Sequence, residues 1–421
     1  MPNPLLITGA SQLLTLRGRA PRRGRALSNL GIIKDGAVLI RDGLIAAVGT
    51  RAQVEALPDA KSAEKLDLGG RIALPGFVDS HTHLISAASR AEEYELRIAG
   101  ASYEEIARKG GGILSSVRKL RAATAEALKQ RAQRALELFA AHGTTTIEAK
   151  SGYGLDLESE LKILQLHGGL EAEQPLEIAS TFLGAHVVPP EYRGKAGGAD
   201  RYVEFVANRV VPEVARRGLA EFCDVYCDRG AFSVEQARRA LTAGRACGLA
   251  PRLHAEQLAH TGATRLGVEL HAASCDHLEK INRADIRALA KSDTVATLLP
   301  GCCFHLGLSH YAPARALIEA GAVVALATDY NPGTSPTLSM PMILSLACTQ
   351  MRMTPAEAVA AATINAAFAL RRQKRIGSLE VGKQADIAVF DLDDYREIPY
   401  YFGVNHCWLT LKRGQTVFTR G

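Results

Sequence analysis

Eight short runs of apolar, β-favouring residues recur through the middle of the chain, each parted from the next by a stretch with helical spacing. They cover 73–83, 144–150, 177–186, 221–227, 250–256, 271–278, 294–299 and 322–329. The helical stretches include 124–141 and 234–247. A helix between two strands carries the chain back to the edge it started from, so the strands run parallel. Eight such units predict a closed (β/α)8 barrel of the TIM type. An open doubly wound sheet is the alternative. It lacks support, because Gly110-Gly111-Gly112 follows a helix-like segment rather than a strand,.

Both ends of the chain read differently. Residues 36–49 alternate around an Arg41-Asp42-Gly43 turn, and 410–418 repeat the pattern around Arg413-Gly414,. These β-rich ends predict a small β-sandwich built from both termini. The expected organisation is 1–70 and 371–421 in the sandwich and 71–370 in the barrel.

Composition narrows the function. At 47% hydrophobic and 22% charged, the 421 residues can bury a large core,. The net charge of +6 is mild, and the basic residues gather in Arg17, Arg19, Arg22, Arg23 and Arg25. That run reads as a solvated loop; a nucleic-acid patch would bring interleaved aromatics. Eight scattered cysteines without a C-x-x-C pair predict reduced thiols in a cytoplasmic protein,. Neither a secretory leader nor an apolar run of roughly 18 residues is expected from the sequence.

A barrel presents its chemistry at the carboxyl ends of its strands. The first run ends in His81-Thr82-His83, whose rings share one side of an extended chain,. Later ends carry Glu148 and Lys150, His186, Cys227 and Asp228, His254 to Gln257, Asp276 and His277, and Asp329 to Thr334. His81, His83, His254 and Asp329 together offer three nitrogens and one oxygen to a single divalent ion, with a position left for water.

This pattern resembles the amidohydrolase superfamily, through the strand-one His-x-His, the strand-five His, the strand-eight Asp, the split sandwich and the terminal phrase 376–391. Segments 90–97, 100–107, 110–113, 142–154, 181–186 and 328–335 are more specific. They resemble the members that open the ring of 4-imidazolone-5-propanoate. The likeness runs from about residue 30 to the C-terminus.

The resemblance implies one metal ion, Zn2+ or iron, held by His81, His83, His254 and Asp329. It implies catalytic parts for Asp329, His254 and His277, with His277 steadying the oxyanion. Substrate contacts would come from Arg90, Tyr153, His186, Gln257, Asn331, Gly333 and Thr334. Arg90 suits the propanoate tail, against an ion pair with Glu92 or Glu93. Gln257 is the recognition residue of its pair and Glu256 the weaker candidate. Lys150 reads as an ion-pair partner or a support for the Tyr153 loop, since a metal-bridging carboxylated lysine would be expected on strand four. A homodimer without nucleic-acid or membrane partners is the implied assembly. A nucleobase-type aminohydrolase would share the ligands but would not need Arg90. A barrel that has become a non-catalytic interaction protein would be expected to have lost ligands.

Overall fold

The computed structural model describes residues 4–101, 105 and 111–421. Residues 102–104 and 106–110, which carry most of segment 100–107 and the first glycine of 110–113, lie outside the described residues.

Eight parallel strands form the barrel: Phe77–Asp79, Thr144–Lys150, Glu177–Ala185, Phe222–Cys227, Ala250–Ala255, Ser274–His277, Val295–Leu298 and Val324–Leu326. Each pairs with the next. The eighth returns to the first at the mouth, where Thr82 bridges Tyr330 and the Asp329 amide donates to the His81 carbonyl at 3.0 Å. Below that bridge the Thr328 hydroxyl donates to Asp79 at 2.5 Å. The intervening helices start where side chains can cap them. Thr124 accepts from the Ala127 amide ahead of Ala125–Ala141, and Ser233 with Gln236 forms a reciprocal cap for Val234–Ala246,.

The expected strand 73–83 divides in two. Ile72–Pro75 joins the terminal sheet, antiparallel to Ile387–Phe390, whereas Phe77–Asp79 opens the barrel. Gly76 makes the crossing, and a Cβ there would overlap the Thr145 side chain. His81 and His83 therefore sit just beyond the strand, on chain kept extended by the bridge to Tyr330.

The terminal sheet is mixed and eight-stranded. Leu5–Leu14, Ile32–Arg41, Leu44–Thr50, Glu64–Asp67 and Ile72–Pro75 meet Ile387–Phe390, Cys407–Lys412 and Gln415–Thr419. Both expected hairpins form. Asp42 (φ 51°) and Gly43 (φ 76°) make one turn, Arg413 (φ 50°) and Gly414 (φ 74°) the other, the pair of positive φ values that suits the strand twist. The sheet curls on itself, so Val38 and Ile40 share a core with Ile387, Val389, Leu409 and Leu411.

The main apolar core lies outside the barrel, where Val225, Leu253, Leu298 and Leu326 meet helix residues such as Leu241, Leu266 and Leu317. The inside is charged: Glu148, Lys150, Asp224, Arg252 and Asp276 are all buried there. No helix among the described residues is long and apolar enough to cross a membrane.

Candidate metal centre

Strand alternation brings His81, His83 and His254 together at the mouth. Ring centroids are 4.6 Å apart for His81 and His254, 5.6 Å for His81 and His83, and 5.7 Å for His83 and His254. All three are buried. Asp329 Oδ1 lies 3.5 Å from His81 Nε2 and 3.7 Å from His83 Nε2. His277 stands just as near, its ring 5.4 Å from that of His254 and 5.7 Å from that of His81.

Two of these rings are oriented from behind. His81 Nδ1 meets Asp276 Oδ2 at 2.7 Å and His254 Nδ1 meets Asp224 Oδ1 at 3.1 Å. A carboxylate on Nδ1 fixes the proton there and turns the Nε2 lone pair inward. His81 Nε2 and His254 Nε2 are buried and have no hydrogen-bond partner among the described residues. Burial and the nearby Lys150 charge hold both imidazoles well below their usual pKa, and burial beside His186 does the same for His83. Neutral, convergent, unpartnered nitrogens with an adjacent carboxylate can hold one divalent cation, and this donor set fits zinc or iron alike.

The two aspartates are themselves fixed. Lys150 Nζ donates to Glu148 and to Asp224, both at 2.7 Å. Arg252 donates to the Ser80 carbonyl at 2.7 Å and lies 3.4 Å from Asp276. Burial opposes the Asp276 charge, but Arg252 and Lys150 outweigh it and keep the carboxyl below its ordinary range. Lys150, on the second strand, is thus an ion-pair partner of Asp224 on the fourth, which in turn holds His254 on the fifth. Sequence reasoning passed over Asp224 and Arg252 and left Glu148 and Asp276 without a role. Their signal was present, since charged residues inside runs otherwise apolar enough to be buried need partners there.

Asp329 is lifted to about 7 by burial, against the pull of His277. Burial would lower His277, but Glu279 and Asp329 outweigh it and raise its pKa. The site therefore sets an imidazole biased toward its charged form beside a carboxyl biased toward its neutral form. Glu256 (φ 55°), His277 (φ 80°) and Asp329 (φ 54°) all take the left-handed backbone region at their strand ends. Such outliers need surrounding structure to hold them.

The remaining candidates divide. Tyr153 and His186 face the centre, with His83 at 5.7 Å from the Tyr153 ring and 5.3 Å from that of His186. His186 Nδ1 is tied to the Gly152 carbonyl at 3.0 Å. Arg90 forms the ion pair with Glu93, Nε at 2.8 Å and one Nη at 2.5 Å. Its other Nη lies against Gly333, where a Cβ would overlap the guanidinium. Asn331 Oδ1 accepts from the Gly333 and Thr334 amides at 2.9 and 2.7 Å, and its amide nitrogen donates to the Thr334 hydroxyl. The polar atoms of Asn331 and Thr334 are thus engaged in their own turn. The Gln257 amide reaches Cys302 Sγ at 3.5 Å, and Cys302 stands beside His277 and Asp329, a mouth residue the sequence reading did not include. Glu256 turns away, accepting from the Thr261, Gly262 and Thr264 amides.

A parallel barrel with a ring of buried histidines and an aspartate at its carboxyl end defines a hydrolase-type metal barrel. The Amidohydrolase family profile matches residues 104–418. The chain is 48% identical over 422 residues to an imidazolonepropionase of Geobacillus kaustophilus, covering 99% of each. It is 49% identical over 411 residues to one of Solibacter usitatus, covering 97% of each. Solved structures share the fold at low identity. Guanine deaminase of E. coli superposes with a TM-score of 0.75 at 16% identity over 100% of both chains. A zinc-bound adenosine deaminase of Xanthomonas campestris gives 0.71 at 18%, over 98% of this chain and 92% of that one. The chain belongs to the amidohydrolase family and, within it, to the imidazolonepropionases. It is a hydrolase acting on carbon–nitrogen bonds.

Proposed function

We propose that this chain opens the ring of 4-imidazolone-5-propanoate at its C–N bond to give N-formimidoyl-L-glutamate, a step of histidine degradation. The observation that carries the reading is the set of buried, unpartnered imidazole nitrogens beside Asp329, with Arg90 at the rim. His81, His83, His254 and Asp329 would hold one ion, Zn2+ or iron. When bound, that ion lowers the pKa of water from about 15.7 toward roughly 7. Asp329 accepts the proton of the attacking water and passes it to the departing ring nitrogen. His277, whose Nδ1 lies 3.7 Å from the Glu279 carboxylate, stabilises the negative oxygen formed at the ring carbonyl. Arg90 binds the propanoate through its Gly333-facing edge or by exchanging Glu93, while Tyr153 and His186 fix the ring. Gln257, Asn331, Gly333 and Thr334 shape the rest of the rim.

Full-length likeness to imidazolonepropionases supports this substrate over a nucleobase. A cytoplasmic setting agrees with eight free cysteines. A homodimer is the proposed assembly, with exposed Tyr400, Phe402 and Val404 as an apolar patch for it. The test is an ultraviolet assay of imidazolone propanoate loss with product identified by mass. Formimidoylglutamate without ammonia supports the reading; ammonia release from a purine or pyrimidine, with imidazolone propanoate untouched, contradicts it.

A further inference from the structure

The arginine-rich run 17–25 is not a free loop. The Arg22 backbone is bolted to Asn365, whose side chain accepts from the Arg22 amide at 2.8 Å and donates to its carbonyl at 2.9 Å. Arg23 bridges Val323, and its guanidinium donates to the Gly321 and Ser292 carbonyls at 3.0 and 2.7 Å and to Asp293 at 2.7 Å. Val323 leads into the eighth strand and Asp293 into the seventh. The segment therefore covers the amino end of the barrel, opposite the histidines.

A cavity of about 690 Å³ opens there, lined by Arg17, Arg19, Arg22, Arg23, Asp293 and Phe368 among others. That volume falls within the range of small-molecule sites, roughly 300–1,000 Å³. Closing the barrel accounts for the Arg22 backbone and for Arg23. It does not account for the other guanidinium atoms. Arg22 is only 4% exposed, and its Nη2 donates to the Leu16 and Arg17 carbonyls at 2.6 and 2.9 Å. Its Nη1 is buried with no hydrogen-bond partner among the described residues. The two nearby carboxylates are committed elsewhere. Asp293 pairs with Arg23, and Glu380 is held by Ser378 at 2.6 Å and Lys383 at 3.1 Å. Arg17 and Arg19 add exposed charge at the rim.

A buried guanidinium with a vacant donor, beside two further cations and the Phe368 ring, has as its nearby counter-charge only Glu380, which Ser378 and Lys383 already share. Guanidinium forks match phosphate and carboxylate oxygens. We propose that this cavity is a second ligand site, for a small molecule carrying two or more negative charges of the phosphate or carboxylate type. It is separate from the catalytic mouth and does not depend on the substrate assigned there.

The test is calorimetric titration of the metal-loaded protein with pyrophosphate, with citrate and with a short DNA duplex, at constant ionic strength. Saturable binding of pyrophosphate or citrate is expected, and whichever binds tighter identifies the source of the charge. Arg17→Ala/Arg19→Ala should weaken it about tenfold per guanidinium removed while leaving turnover unchanged. Arg22→Met should abolish it; should that variant fail to fold, the rim double variant decides. Binding lost in Arg90→Met but kept in the rim variant would place the anion at the mouth and overturn the proposal. So would DNA binding without small-anion binding, or no saturation by either anion.

Discussion

Asp224 gives the sharpest test among single residues. It touches His254 Nδ1 at 3.1 Å and takes the Lys150 ammonium at 2.7 Å. Asp224→Asn keeps the shape but weakens the grip on the imidazole tautomer. Zinc affinity, measured by chelator competition, should fall about 10–100-fold, as removal of such outer partners typically does. Arg90→Met should raise KM for imidazolone propanoate by on the order of 10–100-fold, with kcat changed less, because the contact is to a tail that does not react. An unchanged KM would leave Arg90 to its Glu93 pair alone. At this scale the sequence was legible where a residue type announces chemistry. His-x-His and the strand-end aspartate are scarce enough to stand out. Asp224 and Arg252 did not, since their work is done by contact between strands far apart in the chain.

Among the elements, the Ile72–Pro75 to Phe77–Asp79 corner joins the two halves of the molecule. Gly76→Val would drive a branched side chain into Thr145. Overpacking of this kind costs about 1–3 kcal/mol, so the thermal midpoint should drop; an unshifted midpoint would mean that the corner has slack. Apolar periodicity could not show this corner, because the run continues unbroken through Gly76 while hydrogen bonding passes to another sheet. The hairpins were legible because Asp-Gly and Arg-Gly turns fix their own geometry. Helix Leu157–Glu173 supplies a pH test. Burial depresses its His167 to about 3 from an ordinary 6.5. The unfolded chain then takes the proton first, so this stability is present above pH 6.5 and is lost as pH falls toward 3. Chemical unfolding of wild type and His167→Leu across that window should show a shallower acid loss in the variant, by up to one proton. Equal slopes would contradict a neutral buried ring.

At the scale of the whole molecule, an ion held by the proposed ligands would be coupled to folding. The barrel interior carries charges that an apolar core would exclude, and neighbouring charges and the centre above satisfy them. The strand-and-helix rhythm disclosed the barrel, but a rhythm of apolar residues says little about an interior that is charged. Binding only to the folded chain adds stability of about 4 kcal/mol at a thousandfold excess over Kd. Chelation should therefore lower the melting temperature and zinc should restore it, with a smaller recovery in Asp224→Asn.

The most direct measurement titrates metal-free protein with zinc or iron(II) while following both bound ion and imidazolone propanoate ring opening. Turnover should rise linearly and stop at one ion per chain, and His254→Ala should neither retain the ion nor open the ring. Full turnover with no ion bound, or an undiminished His254→Ala protein, would contradict the account.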